Sequence, residues 1–130
     1  MNVDAILDSG ATQSIFPRNY DNLSKFSSYP TPSHATMADS SSKLTLYGTA
    51  MYGSIEVIVG NIPRPLISEG ALTGPPHNLS IVKFNDIAWI LDPDRTPDDP
   101  NWILCHCTKE SDNLYHLHDQ AIQMALTRLC

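Results

Sequence analysis

The stretch Ala5-Ile6-Leu7-Asp8-Ser9-Gly10-Ala11-Thr12 decides how this sequence is interpreted. It places an acidic residue at the end of an apolar segment and then turns the chain sharply. A carboxylate at the end of a buried strand costs desolvation energy unless it is hydrogen-bonded or shares a proton. Gly10 has no side chain to keep backbone amides away from that carboxylate. Asp8 is therefore a candidate for a rigidly held acidic group, although Asp-Ser-Gly alone is more typical of an ordinary turn.

Length and composition restrict the classes of function. The chain has 130 residues, 42% hydrophobic and 17% charged, which fits one compact domain. A net charge of -6 argues against sequence-independent binding of nucleic acid, which needs a basic face. No apolar run approaches the roughly 20 residues of a membrane-spanning helix, and the N-terminus lacks the features of a signal peptide. Three cysteines, an odd number, indicate free thiols, so we expect a soluble cytoplasmic protein without nucleic-acid or membrane partners.

Short apolar segments with strand-like alternation predict a mainly β fold. Residues 19–32 are polar and turn-rich, which predicts a surface loop. Ser68 is expected to cap a short helix that runs through Leu72, and Asp119 is expected to cap a final helix. Strands are predicted at residues 2–7, 34–37, 43–52, 54–59, 79–84, 87–91, 102–107 and 113–118.

Four features in order resemble the retroviral-type, or retropepsin-like, aspartic proteases, and most closely the protease of copia-type LTR retrotransposon polyproteins. Residues 5–12 resemble the active-site strand and loop, and residues 37–44 resemble the flap, a hairpin that closes over substrate. Residues 56–68 are similar to the late strand and the apolar pair that leads into a short helix. Leu114-Tyr115-His116-Leu117 is similar to the aromatic strand that lies between protease and integrase in copia-type polyproteins.

The resemblance implies a retropepsin-like acid-protease fold, which is a small closed β-barrel with a flap hairpin and a short helix. It places the protease core at residues 1–84 and a C-terminal extension at residues 85–130. This extension consists of a β-hairpin and a terminal helix, and it is either separate or part of the same domain. Only seven residues precede Asp8, whereas retroviral enzymes have a longer N-terminal stretch with an interface strand. Either that strand is absent, or residues 85–130 replace it, or the sequence is a piece of a longer chain.

The resemblance also implies a catalytic site made of Asp8, Ser9 and Gly10. Family members supply one such motif per subunit, so the site exists only in a homodimer. The two copies of Asp8 would share one proton, the ionised one activating water and the protonated one binding the scissile carbonyl. Ser9 would brace the pair by a hydrogen bond across the dimer axis.

The implied substrate is an extended polyprotein peptide that pairs with the flap like an added strand. The implied activity is that of an aspartic endopeptidase that processes a Gag-Pol-type polyprotein, inside the cell and within virus-like particles, without a cofactor or metal. The alternative is a retropepsin-like module that dimerises or binds peptides with little or no catalysis. The candidate substrate-binding residues are Ala11 and, at the flap tip, Ala38, Asp39 and Ser40.

Two groups of side chains could form a metal-binding site, one of cysteines and histidines and one of aspartates. For both groups the sequence favours an ordinary structural role over metal binding. If residues 102–107 and 113–118 pair as a hairpin, Cys105 and Cys107 share one face, and His116 and His118 share one too. Such a set suits zinc, but only one residue separates the cysteines, instead of the usual two to four. The acidic, proline-rich run at 92–100 lacks the regular spacing of a calcium loop and is predicted to be a solvated linker.

Overall fold

The structure, a computed structural model, describes residues 4–36, 43–53, 55–118 and 121. The candidate flap-tip residues Ala38, Asp39 and Ser40 lie outside the described residues, as does the predicted C-terminal helix apart from Ala121. In chain order the elements are β1 (Ala5–Asp8), β2 (Ile15–Pro17), β3 (Leu23–Thr36), β4 (Lys43–Tyr52), β5 (Ile55–Gly60), β6 (Leu66–Ser68), α1 (Glu69–Thr73), β7 (Ser80–Phe84), β8 (Ile87–Leu91), β9 (Ile103–Lys109) and β10 (Tyr115–Leu117).

The described strands form one mixed sheet in the order β3-β4-β5-β2-β6-β1-β10-β9-β8-β7. Two neighbouring pairs, β1–β6 and β2–β5, are parallel, and the other pairs are antiparallel. The prediction of a mainly β fold is therefore confirmed. The helix α1 has five residues. Within the described ranges no helix is long and apolar enough to cross a membrane.

The sheet is open, since its order ends at β3 on one side and at β7 on the other. The closed barrel that the resemblance implied is therefore wrong for this chain. Closure requires the two edge strands to pair with each other. Here each edge strand belongs to a hairpin, β3–β4 or β7–β8, and the two hairpins extend the sheet in opposite directions from β1. Alternation in a sequence indicates which strands are half-buried, but it does not identify their neighbours.

Residues from both predicted segments, 1–84 and 85–130, build this sheet. β10 pairs antiparallel with β1, on the side of β1 opposite to β6. Leu7 of β1 and Leu117 of β10 are buried in the same hydrophobic cluster. The C-terminal segment thus supplies the strand that lies directly beside the Asp8 strand.

The prediction of a surface loop at residues 19–32 is wrong, because β3 begins at Leu23 and continues to Thr36. β3 is an edge strand that pairs with β4 alone, with two register shifts along the pair. Most of its side chains are exposed, so the segment lacks the alternation by which a half-buried strand is recognised. Pro30 and Pro32 fit an edge strand, where a residue without an N–H group can face solvent.

The other predicted elements in the described ranges are confirmed with small shifts at their ends. β5 buries Ile55, Val57 and Val59 on one face, as its alternation predicts. α1 begins after Ser68, whose hydroxyl accepts a hydrogen bond from the backbone N–H of Ala71 at 3.0 Å. β7 with β8, and β9 with β10, form the two predicted antiparallel pairs.

An aromatic cluster anchors the core next to β2 and β4. The ring centroid of Phe16 lies 5.1 Å from that of Tyr20 and 4.7 Å from that of Tyr52. Contacts of this kind contribute beyond the apolar area that they bury. Aliphatic side chains from the central strands complete the core and fix the strands that carry the candidate site: Ala5, Leu7, Val57, Val59, Ile67, Ile90 and Leu117.

Candidate active site

Asp8 lies at the C-terminal end of β1, between β6 and β10. It is the direct partner of Ser68 in the parallel pair β1–β6. Its carboxylate Oδ1 accepts a hydrogen bond from the backbone N–H of Gly10 at 2.8 Å. Asp8 is half-buried, whereas Ser9 and Gly10 are exposed. The main chain therefore holds one carboxylate oxygen while the side chain stays accessible from solvent.

The contact between Gly10 and Asp8 depends on the backbone. A Cβ atom on Gly10 would lie 3.5 Å from Oδ1 of Asp8, which is an ordinary contact distance. A residue with a Cβ atom could therefore make the same hydrogen bond, and the absence of a side chain at Gly10 is not required for it. The N–H of Gly10 itself makes the link, through the short turn that Ser9 and Gly10 form.

Two buried serines fix the loop that follows Asp8. The Ser68 hydroxyl donates a hydrogen bond to the carbonyl oxygen of Ala11 at 2.7 Å. The Ser14 hydroxyl accepts a hydrogen bond from the backbone N–H of Ser68 at 3.0 Å, and the Ser14 carbonyl accepts one from the N–H of Ile58 at 2.9 Å. Ser14 is only 4% exposed and Ser68 is 0% exposed. Because an unpaired buried polar group is costly, these bonds hold the loop tightly to β5 and β6.

Sequence analysis missed this role of the serines. It assigned Ser68 only the cap of α1 and did not single out Ser14. Ser14 and Ser68 are 54 positions apart, and the only local signal is the capping position of Ser68. Ser14 directly precedes β2, and its contact with Ser68 depends on the antiparallel pairing of β2 with β6, which the sequence does not specify.

A cavity of about 420 Å³ opens on one side of Asp8. We call it the hairpin cavity, because the β3–β4 hairpin forms part of its wall. Ala35 of β3 and Leu44 of β4 are direct partners in that hairpin, and both line the cavity together with Asp8. The candidate substrate-binding residue Ala11 lines it as well. Further apolar lining comes from Ile15, Leu46, Ile58 and Leu66.

A second cavity, of about 500 Å³, opens on Asp8 and Ser9 from another direction. We call it the Leu114 groove and define its apolar lining as Ile62, Pro63, Leu66, Leu114 and Tyr115. Two cationic side chains, Arg64 and Lys83, also line it. Asp8 thus lies between two largely apolar cavities.

A hydrogen-bonded chain of three side chains lies close to this groove. Nη1 of Arg64 is 3.3 Å from Nδ1 of His116, and Nε2 of His116 is 2.8 Å from Oδ2 of Asp112. Since guanidinium only donates, Nδ1 accepts and Nε2 carries the proton that is donated to Asp112. The backbone N–H of Leu114 and then the imidazole of His116 lower the pKa of Asp112 from its ordinary value. These hydrogen bonds thus connect the segment before β6 to β10.

Strand register keeps the two cysteines and two histidines of the suggested zinc site apart. His116 is the direct partner of Thr108 across the pair β9–β10, and side chains alternate along each strand. Cys105 and Cys107 therefore lie on the opposite face from His116 and His118. Within the described ranges no group of three or more His, Cys, Asp or Glu side chains is arranged to hold a metal ion. Burial raises the pKa of Cys105 to about 12 and that of Cys107 to about 11, so both thiols stay protonated at neutral pH.

The acidic run at residues 92–100 is organised by a cation within the chain. The Arg95 guanidinium forms ion pairs with Asp92 at 3.2 Å and with Asp99 at 2.9 Å. Both carboxylates therefore have a cationic partner from within the chain. The run predicted to be a solvated linker is a turn-rich connection between β8 and β9, in which the Asp92 N–H donates to the Trp102 carbonyl at 2.9 Å.

Comparison with known proteins adds no relative: no protein-family model, no curated protein and no solved structure matches this chain. The interpretation of the site therefore depends on its own residues and geometry.

Proposed function

We propose that this chain is an aspartic endopeptidase of the retroviral type, which acts as a homodimer on an extended segment of a Gag-Pol-type polyprotein inside the cell. One observation carries the proposal. Asp8 ends a buried strand, accepts the Gly10 N–H at 2.8 Å and lines a cavity whose wall includes the β3–β4 hairpin. A held carboxylate can act as a general base, and a hairpin beside the same cavity can pair with an extended peptide, so this arrangement supports peptide hydrolysis.

The reaction needs two carboxylates that share one proton, and a second copy of the chain supplies the other Asp8. Two such groups cannot both ionise when they are close together, so the pair titrates as a unit. The ionised Asp8 takes a proton from water, whose oxygen forms a bond with the carbonyl carbon of the peptide. The protonated Asp8 donates a hydrogen bond to the carbonyl oxygen. As the tetrahedral intermediate breaks its C–N bond, the Asp8 that took the proton from water gives it to the nitrogen. A carboxylic acid and an amine leave, and the pair again holds one proton.

The residues around Asp8 have positioning roles in this proposal. The exposed hydroxyl of Ser9 lies next to Asp8 and is available to the partner copy across a twofold axis. Ser14 and Ser68 fix the loop from the inside of the subunit, through the hydrogen bonds at 3.0 and 2.7 Å. A carboxylate pair works only when its geometry is held, so this support is part of the proposed machinery.

The finer fold assignment, a retropepsin-like fold, belongs to the same proposal. It is supported by the order of parts along the chain: the Asp8 strand, a long hairpin, β5, and β6 leading directly into α1. The open sheet departs from the closed barrel of that family. The proposal therefore depends more on the site than on the sheet.

The first test compares Asp8→Asn with wild type in cleavage of a Gag-Pol-type precursor. Asparagine can still accept the Gly10 N–H bond, so the variant should fold while losing the ionisable group. We expect processing to fall at least about a hundredfold. Asp86→Asn is the matched control, because the side chain of Asp86 is 78% exposed in the β7–β8 turn. Unchanged processing by Asp8→Asn overturns the proposal.

A mixing experiment tests whether two copies form the site. Equal amounts of wild type and Asp8→Asn, allowed to exchange subunits, give about a quarter wild-type dimers by random pairing. We expect cleavage to fall to about a quarter of that given by the same total amount of wild-type protein. Activity at one half, in proportion to the wild-type chains, would mean that each chain acts alone. A dimer that binds the precursor but never cleaves it would favour the alternative, a peptide-binding module.

A further inference from the structure

An exposed leucine, Leu114, directly precedes β10, the strand that pairs with the Asp8 strand. In the pair β1–β10, Ile6 is opposite His116 and Leu7 is opposite Tyr115. Continuing this antiparallel register by one residue brings Leu114 opposite Asp8. Leu114 is nevertheless 45% exposed. A large aliphatic side chain next to the candidate carboxylate is therefore in contact with solvent in the single chain.

The position of Leu114 sets it apart from the other exposed apolar side chains. In the described ranges the large hydrophobic residues that are exposed are Phe26, Val82, Phe84, Ile103 and Leu114. Of these, Leu114 is the one that lines a cavity beside Asp8. Singly exposed apolar residues are ordinary, whereas an apolar groove continuous with a functional group marks a site of interaction.

The Leu114 groove combines this leucine with apolar neighbours and the candidate catalytic loop. Ile62 and Pro63 lie on the connection that precedes β6, and Leu66 begins β6 itself. Asp8 and Ser9 open into the same groove. Anything that fills the groove therefore touches the Asp8 loop at the same time.

We propose that a second copy of this chain occupies the Leu114 groove and that this contact brings the two Asp8 side chains together. The inference rests on the proposed function, in which one carboxylate is incomplete without its twin. A twofold axis beside Asp8 places the same groove of each copy against the other, because such an interface is self-complementary. Leu114 lies next to Asp8, so it lies close to that axis and contacts the partner. The C-terminal segment thereby contributes to the dimer interface through β10.

Charge favours a copy of this chain as the occupant. The chain has a net charge of -6, so two copies repel each other over most of their surfaces. The charged residues that line the groove are one anionic residue, Asp8, and two cationic residues, Arg64 and Lys83. Lys83 is also paired with Glu69 at 2.6 Å, which leaves the groove close to neutral. This face therefore adds little to the repulsion between two acidic chains.

The test measures the oligomeric state, independently of cleavage. Sedimentation equilibrium is run on wild type, Leu114→Asp, Leu114→Met and Ile103→Asp. Ile103 is the matched control, since it is 46% exposed and lies at the end of β9 remote from the β9–β10 turn. Twofold symmetry places each substitution in the interface twice, so we expect Leu114→Asp to raise the dimer Kd at least about tenfold. Leu114→Met and Ile103→Asp should stay within about threefold of wild type.

The outcomes separate this inference from the proposed function. A wild-type dimer whose Kd is unchanged by Leu114→Asp, or a wild-type chain that is monomeric at every concentration, overturns the inference. In the first case, cleavage that depends on Asp8 would leave the proposed function standing, whereas a chain that is always monomeric would also overturn the homodimer on which that function depends. A dimer that dissociates on Leu114→Asp but never cleaves peptide supports the inference and overturns the proposed function. Thermal unfolding of each variant identifies any loss of dimer that comes from misfolding.

Discussion

Asp8 and Ser68 are direct partners in the parallel pair β1–β6, and the Ser68 hydroxyl donates to the carbonyl of Ala11, three residues beyond Asp8, at 2.7 Å. One buried side chain therefore connects the end of the Asp8 strand, the loop after it and the start of α1. The same oxygen accepts the Ala71 N–H at 3.0 Å. The geometry of the candidate site is thus set by a residue outside the Asp-Ser-Gly motif.

Ser68→Ala should destabilise the protein and weaken the site together. The substitution leaves the Ala11 carbonyl and the Ala71 N–H without their partner, so we expect the free energy of unfolding to fall by about 1–3 kcal/mol. Urea denaturation measures this change. The control is Thr73→Ala, which removes an exposed hydroxyl that bonds to the Glu69 carbonyl within α1 and should cost less than about 0.5 kcal/mol. Equal losses in the two variants would contradict the structural role of Ser68.

Gly48→Ala should disrupt the hairpin that borders the hairpin cavity. A Cβ atom on Gly48 would collide with the backbone carbonyl of Ser27 and lie 2.8 Å from Cα of Ser28. Both are backbone atoms of β3 and cannot rotate away, so we expect a loss of about 1–3 kcal/mol in unfolding free energy. Hydrogen exchange should locate the loss in β3 and β4.

The matched control for this substitution is Gly70→Ala in α1. There the added Cβ would lie 3.6 Å from Oγ of Ser68, an ordinary contact. Alanine favours helix over glycine by up to about 1 kcal/mol, so stability should hold or rise. If both glycine variants behave alike, the close approach of β3 to β4 at Gly48 is not a constraint.

The two described thiols should make the protein sensitive to alkali. Burial raises the pKa of Cys105 to about 12 and that of Cys107 to about 11, from an ordinary value of 9.0. A raised folded-state pKa means that the unfolded chain loses these protons first. Their contribution to stability is therefore complete below about pH 9 and is lost as pH rises towards 11 and 12. Urea denaturation in the presence of a reductant measures this loss.

The control for the alkaline loss is the double variant Cys105→Ala, Cys107→Ala. It should be less stable than wild type at pH 7, because it removes packed side chains. Between pH 9 and pH 11 its stability should fall less steeply than that of wild type. Parallel pH curves for the two proteins would show that other groups cause the alkaline loss.

Elements with a strong local pattern were predictable from the sequence. The alternation of Ile55, Val57 and Val59 predicted β5, and Ser68 predicted the start of α1. β3 was missed because an exposed edge strand has no buried face to produce alternation. The position of Asp8 at the end of a strand was also predictable, since apolar residues precede it and a turn follows.

A mainly β chain with an acidic residue between an apolar strand and a sharp turn could be predicted without coordinates, because these features depend on neighbouring residues and their periodicity. Three features depend on the tertiary structure: the sheet is open, Cys105 and Cys107 point away from His116, and Ser14 and Ser68 hold the loop after Asp8 while Leu114 lines a cavity beside it. Each of these depends on strand order or register. Both are set by contacts between residues far apart in the chain, which local patterns do not encode.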